Sequence, residues 1–74
     1  MTETTLDLRH LRCPMPVLRT RKALGLLTSG SVLTVHCTDP LAGIDIPHLV
    51  QQTGDVIVAS ELRDGVQIFA IRKR

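Results

Sequence analysis

Cys13-Pro14-Met15-Pro16 leaves the chain little conformational choice. Proline fixes φ and brings no backbone N–H, so it disrupts a central strand or a helix interior. The first turn of a helix has N–H groups with no partner inside the helix, and two prolines are tolerable there. The motif therefore opens a helix. Val17, Leu24 and Leu27 supply its apolar stripe with Thr20 between them, and Arg19, Arg21 and Lys22 fill the wet side. Gly30, after Thr28-Ser29, is expected to end it.

Around that helix the periodicity alternates between two and 3.6. Leu6 and Leu8 alternate with Asp7 and Arg9, which predicts a short strand over Thr4–Arg9. Ser31–Thr38 is rich in β-branched residues and reads as a buried strand, stopped by Asp39-Pro40. Asp45 is expected to cap a second helix with Pro47 in its first turn, Leu49 and Val50 as anchors and Gly54 as C-cap. Asp55–Leu62 and Val66–Ile71 read as strands joined by a tight turn at Arg63-Asp64-Gly65. Arg72-Lys73-Arg74 is expected to fray. The order β-α-β-α-β-β predicts an α+β fold, a two-layer sandwich with a four-stranded mixed sheet and two helices on one face.

With 74 residues the chain is about half of an average domain of ~150, so one domain over residues 1–74 is expected. A body this small has little room to enclose a substrate, which moves function to an edge, a loop or a single side chain. Trp and Tyr are absent and Phe69 is the one aromatic, so no stacking platform for single-stranded nucleic acid can be built. A net charge of +2 is weak footing for a phosphate-backbone binder. No apolar run approaches the ~20 residues of a membrane span, and the N-terminus lacks the pattern of a signal peptide, so a cytoplasmic chain is expected. Two cysteines make no disulfide framework.

Cys13 is the residue on which chemistry can turn. At the junction of a loop and a helix start, the positive end of the helix dipole favours an anion, so a thiolate with a lowered pKa is expected. Five of the nine basic residues, Arg9, Arg12, Arg19, Arg21 and Lys22, lie between positions 9 and 22. They form either a solvated face or a docking surface for acidic partner proteins. His10 can pair with the thiolate if the loop folds back. Cys37 alternates with Leu33 and Val35, which predicts a core position, with a resolving thiol as the sharper alternative. His10, His36 and His48 lack metal-ligand spacing, and no metal is expected. Asp39 and Asp45 follow capping logic more closely than that of an acid/base pair. Glycines 25, 30, 43, 54 and 65 are too dispersed for a phosphate loop.

These residues resemble the TusA/SirA family of small sulfur-carrier proteins from about Leu6 to Arg72. Leu6-Asp7-Leu8-Arg9 with Leu11-Arg12-Cys13-Pro14-Met15-Pro16 is similar to the family's Cys-Pro-x-Pro signature, with Arg12, Pro14 and Pro16 as motif support. Thr38-Asp39-Pro40, Asp45-Ile46-Pro47 and Thr53-Gly54 resemble a second family pattern. His10 stands where the family commonly has glycine. The resemblance implies that Cys13 accepts a sulfane sulfur from the persulfide of a pyridoxal-phosphate cysteine desulfurase, or from a rhodanese-like donor. The chain then hands that sulfur to an acceptor protein. The relay would end in tRNA 2-thiouridine, molybdenum-cofactor supply or sulfur oxidation. Such exchange at sulfur calls for no cofactor in the chain itself, and a carrier of this kind does not turn over alone. A monomer is expected, since the thiol must face two partners in turn. Two other classes stand beside the carrier: a thiol-based redox or regulatory module using both cysteines, and an interaction module in which Cys13 is structural.

Overall fold

Alternating apolar and polar residues become strands, and the stretches with helical spacing between them become helices. The computed structural model describes residues 3–74. Its elements are β1 (Glu3–Leu8), α1 (Met15–Gly25), β2 (Val32–Cys37), α2 (Ala42–Thr53), β3 (Val56–Arg63) and β4 (Val66–Arg72). The sheet runs β1-β2-β4-β3. β1 lies parallel to β2, with Leu6 opposite Val35 and Leu8 opposite Cys37. β4 is antiparallel to both β2 and β3. The predicted four-stranded mixed sheet with two helices is thus the observed one.

One face of the sheet carries the core. Leu33, Val35 and Cys37 of β2 and Phe69 and Ile71 of β4 meet Leu24 of α1 and Ala42, Ile46 and Val50 of α2. Pairing partners such as Val35 and Phe69 sit on the same side, so the register places every large β2 and β4 side chain of this set against the helices. Asp64 and Gly65 connect β3 to β4 with φ of 50° and 78°, the left-handed pair that a two-residue hairpin requires. Gly54 caps α2 at φ 81°, its N–H bonded to the Val50 carbonyl.

Three sequence expectations are corrected. α1 ends at Gly25, and Gly30 belongs to the following turn; the Leu26 and Leu27 N–H groups close back onto Ala23 and Leu24 in a tighter turn. Asp45 does not cap α2. The Ala42 N–H bonds to the Asp39 carbonyl at 3.0 Å, so winding starts earlier, with Leu41 in the cap position and Pro47 inside the helix. The basic tail does not fray. Lys73 exchanges backbone hydrogen bonds with Gly30 and Ser31, and the Arg74 N–H donates to the buried Asp55 carboxylate at 2.9 Å.

Candidate functional site

Because β1 and β2 are parallel, the loops that follow them leave the same end of the sheet. The first loop carries Cys13 and the second carries Thr38-Asp39-Pro40. Side chains of the second loop hold the backbone of the first. Thr38 Oγ1 accepts the His10 N–H at 2.8 Å, and Asp39 Oδ2 accepts the Cys13 N–H. The other Asp39 oxygen accepts the Leu41 N–H at 3.0 Å, so one carboxylate ties the cysteine loop to the start of α2.

His10 sits at φ 71°, left-handed backbone that favours glycine. The glycine that the family resemblance leads one to expect here would adopt this backbone without strain. Left-handed backbone costs a side-chain-bearing residue about 1–2 kcal/mol. Glycine gives back about 0.5–1 kcal/mol of that as chain entropy. His10→Gly should therefore stabilise the chain by up to ~1 kcal/mol in urea unfolding. A loss of stability would show that the imidazole itself holds the loop.

Cys13 is exposed and lies outside α1, which begins at Met15 with Pro14 in the cap position. Two shallow hollows meet at its sulfur. The larger, about 590 Å³, is lined by His10, Leu11, Arg12 and Cys13 on one side and Thr38 to Leu41 on the other. The smaller, about 190 Å³, runs between the helices and includes Arg21, Asp45, His48 and Gln52. Cys13 Sγ donates to Asp45 Oδ2 at 3.4 Å. That hydrogen bond favours the protonated sulfur; partial desolvation and the negative charges of Asp45 and Asp39 act the same way, so the thiol pKa is raised. The expected depressed thiolate is corrected: the nearest charge is a carboxylate and the helix start lies beyond Pro14. The His10 pairing is likewise replaced by Asp45.

The basic residues separate. Arg12 and Arg21 line the two hollows beside Cys13. Arg9 turns to Asp7, with Nε–Oδ1 at 2.8 Å and Nη2–Oδ2 at 2.9 Å, and lines hollows with His36 away from the sulfur. Arg19 and Lys22 are exposed on α1 and line neither hollow at Cys13. Cys37 is in the core at 0% exposure, and burial together with the Asp39 charge pushes its thiol up to about 11. No group of three or more metal-ligating side chains lies together among the described residues. Nor is any of their helices long and apolar enough to cross a membrane.

Sequence reasoning missed Asp45, His48 and Gln52 as neighbours of Cys13. Their spacing put them on one helical face all along. It also missed an apolar rim: Met15, two residues from Cys13, and Leu41, which lines the larger hollow, are exposed, and Leu18 and Ile44 are exposed one turn further along α1 and α2. Exposed apolar side chains of this kind are a feature of protein contact surfaces.

Comparison with known proteins agrees with this fold. The family model described as Sulfurtransferase TusA matches residues 4–73. The chain is 39% identical over 74 residues to the putative sulfur carrier protein NMA0882 of Neisseria meningitidis, covering 100% of both chains. It is 40% identical over 68 residues to the sulfur carrier protein TusA of Allochromatium vinosum, covering 92% of this chain and 90% of that one. Among solved structures, the SirA-like protein of Desulfitobacterium hafniense superposes with a TM-score of 0.83 at 28% identity, over 93% of this chain and 95% of the other.

Proposed function

The chain belongs to the sulfurtransferase TusA family, and from that premise we propose that it is a sulfur carrier with Cys13 as its sulfur-bearing residue. Cys13 takes a sulfane sulfur from a cysteine desulfurase or a rhodanese-like donor, holds it as a persulfide and delivers it to an acceptor protein. Thiolation of tRNA is the first acceptor pathway to test, ahead of molybdenum-cofactor supply and sulfur oxidation. The observation that carries this reading is the placement of Cys13. Its sulfur is exposed, its backbone is held by Asp39, and its surroundings are shallow hollows with an apolar rim. Such a site presents a sulfur to a second protein and does not enclose a small substrate.

The test is incubation with a cysteine desulfurase and cysteine, followed by cyanolysis of the isolated chain. The carrier reading predicts one cyanide-reactive sulfur per chain. None, with several donors and a thiol shown to be free beforehand, would overturn it.

Partner docking is read from the same surface. The apolar rim supplies contact area, and the basic residues Arg12, Arg19, Arg21 and Lys22 supply steering, whereas Arg9, expected with them, is paired to Asp7. Of these, Arg21 lines the hollow that contains Cys13 and Arg19 does not. Arg21→Glu should slow loading roughly three- to tenfold at low salt, and Arg19→Glu should slow it less, since rim charges act through association rate. Equal rates for both variants and the parent chain would remove electrostatic docking from the account.

A further inference from the structure

We infer that Asp45 is a positioning residue of the carrier site: it holds the Cys13 S–H in the free chain and favours donors that bring a cationic group to it. This rests on the reading of Cys13 as the sulfur-bearing residue.

The geometry is specific. Asp45 Oδ2 lies 3.4 Å from Cys13 Sγ across 32 residues of sequence. Asp45 sits in the first turn of α2 yet caps nothing there, since the N–H groups that start the helix bond to Asp39, Pro40 and Leu41 carbonyls. Its carboxylate is free to serve the thiol. The charged and titratable groups facing Cys13 are His10 and Arg12 from its own loop, Asp39 from the loop after β2, Arg21 from α1, and Asp45 and His48 from α2. Of these, the two carboxylates touch the cysteine itself, Asp39 at its N–H and Asp45 at its sulfur. The immediate collar is therefore acidic, inside a wider basic surround.

Loading is an exchange at sulfur that balances without an oxidant. The donor persulfide carries its outer sulfur on a thiol. Cys13 sulfur gives up its proton and bonds to that outer sulfur, the donor S–S bond breaks, and the donor sulfur leaves with the electron pair and takes a proton. While Asp45 holds the S–H, this step is slow with any passing disulfide or persulfide. A cation on the donor pairs with the carboxylate, cancels the charge that opposes ionisation and releases the thiolate where the donor sulfur waits. A donor suited to the whole surface then presents acidic groups to Arg19, Arg21 and Lys22 and a cation at its centre.

The test needs no sulfur donor, so its failure is separable from failure of the carrier reading. Iodoacetamide alkylation of Cys13 is followed against pH by peptide mass in the parent chain, Asp45→Asn and Asp45→Glu. Each unit of pKa lowered multiplies the thiolate tenfold below its pKa and costs part of that in nucleophilicity, a net gain of roughly threefold at neutral pH. Asp45→Asn should shift the midpoint down and raise the neutral-pH rate about threefold or more. Asp45→Glu, which keeps the charge, should stay closer to the parent. Exchange with two small disulfides of opposite charge, cystamine and dithiodipropionate, reads the collar once the rate ratio is divided by that of a free small thiol, because the two leaving thiols differ in pKa. The parent chain should prefer cystamine severalfold beyond the free thiol, an excess that Asp45→Asn reduces and Asp45→Glu retains. An unshifted midpoint in Asp45→Asn, or a parent ratio no higher than the free thiol's, would overturn the inference. Circular dichroism of each variant checks that the fold is shared, and Asp45→Ser serves in place of Asp45→Asn if that chain is unfolded.

Discussion

Ile46→Ala should unfold this chain more readily than any change on its surface, costing about 2–5 kcal/mol. Ile46 is 0% exposed and packs from α2 into the cluster that also holds Leu33, Val35 and Ile71. Its removal leaves a cavity that the sheet on one side and α1 on the other cannot fill. A domain of 74 residues has a total stability of only about 4–11 kcal/mol, so the loss is a large share of it. Thermal unfolding should fall by roughly 10–30 °C. Leu62→Ala is the matched control, because Leu62 is 69% exposed on an edge strand and should cost less than about 0.5 kcal/mol. Urea unfolding of both variants checks the contrast, and equal losses would contradict the packing described.

The second large effect is an asymmetry between the cysteines. Cys13→Ser should abolish sulfur loading and leave stability within about 1 kcal/mol, because the side chain is exposed and makes one weak hydrogen bond. Cys37→Ser should do the reverse. It puts a hydroxyl into the core opposite Leu8 and Gln67, at a cost of about 1–3 kcal/mol, and leaves loading intact wherever the chain is folded. Held as a thiol well above neutral pH and closed off from solvent, Cys37 is poorly placed to resolve a disulfide. Loss of loading in Cys37→Ser, at a temperature where it is folded, would favour the two-cysteine redox module.

Local pattern carried the fold a long way. Alternation in β1 and β2, the prolines at the start of α1, Gly54 and the Asp64-Gly65 turn each act within a few residues, and the structure agrees with all of them. The three misplacements are contacts made at a distance. Arg72 to Arg74 look free until β4 brings them beside Ser31 and the Asp55 carboxylate. Gly25 ends α1 early where the chain tightens so that Leu27 packs partly buried against the core, while Leu26 stays exposed. Asp45 is the instructive case at the site. Read locally, an aspartate before Ile46-Pro47 is a cap; folded, it is a partner of a sulfur 32 positions away. The charge around Cys13 was illegible for the same reason. Neighbours in sequence are arginines, whereas the groups that reach the cysteine are two carboxylates from beyond β2.

The central claim is that one cysteine carries the sulfur, and intact-mass spectrometry tests it most directly. The parent chain, Cys13→Ser and Cys37→Ser are incubated side by side with a cysteine desulfurase and cysteine, then weighed without reductant. The account predicts a gain of one sulfur atom in the parent and in Cys37→Ser, and no gain in Cys13→Ser. A sulfur retained by Cys13→Ser, or absent from all three with rhodanese donors as well, would contradict it.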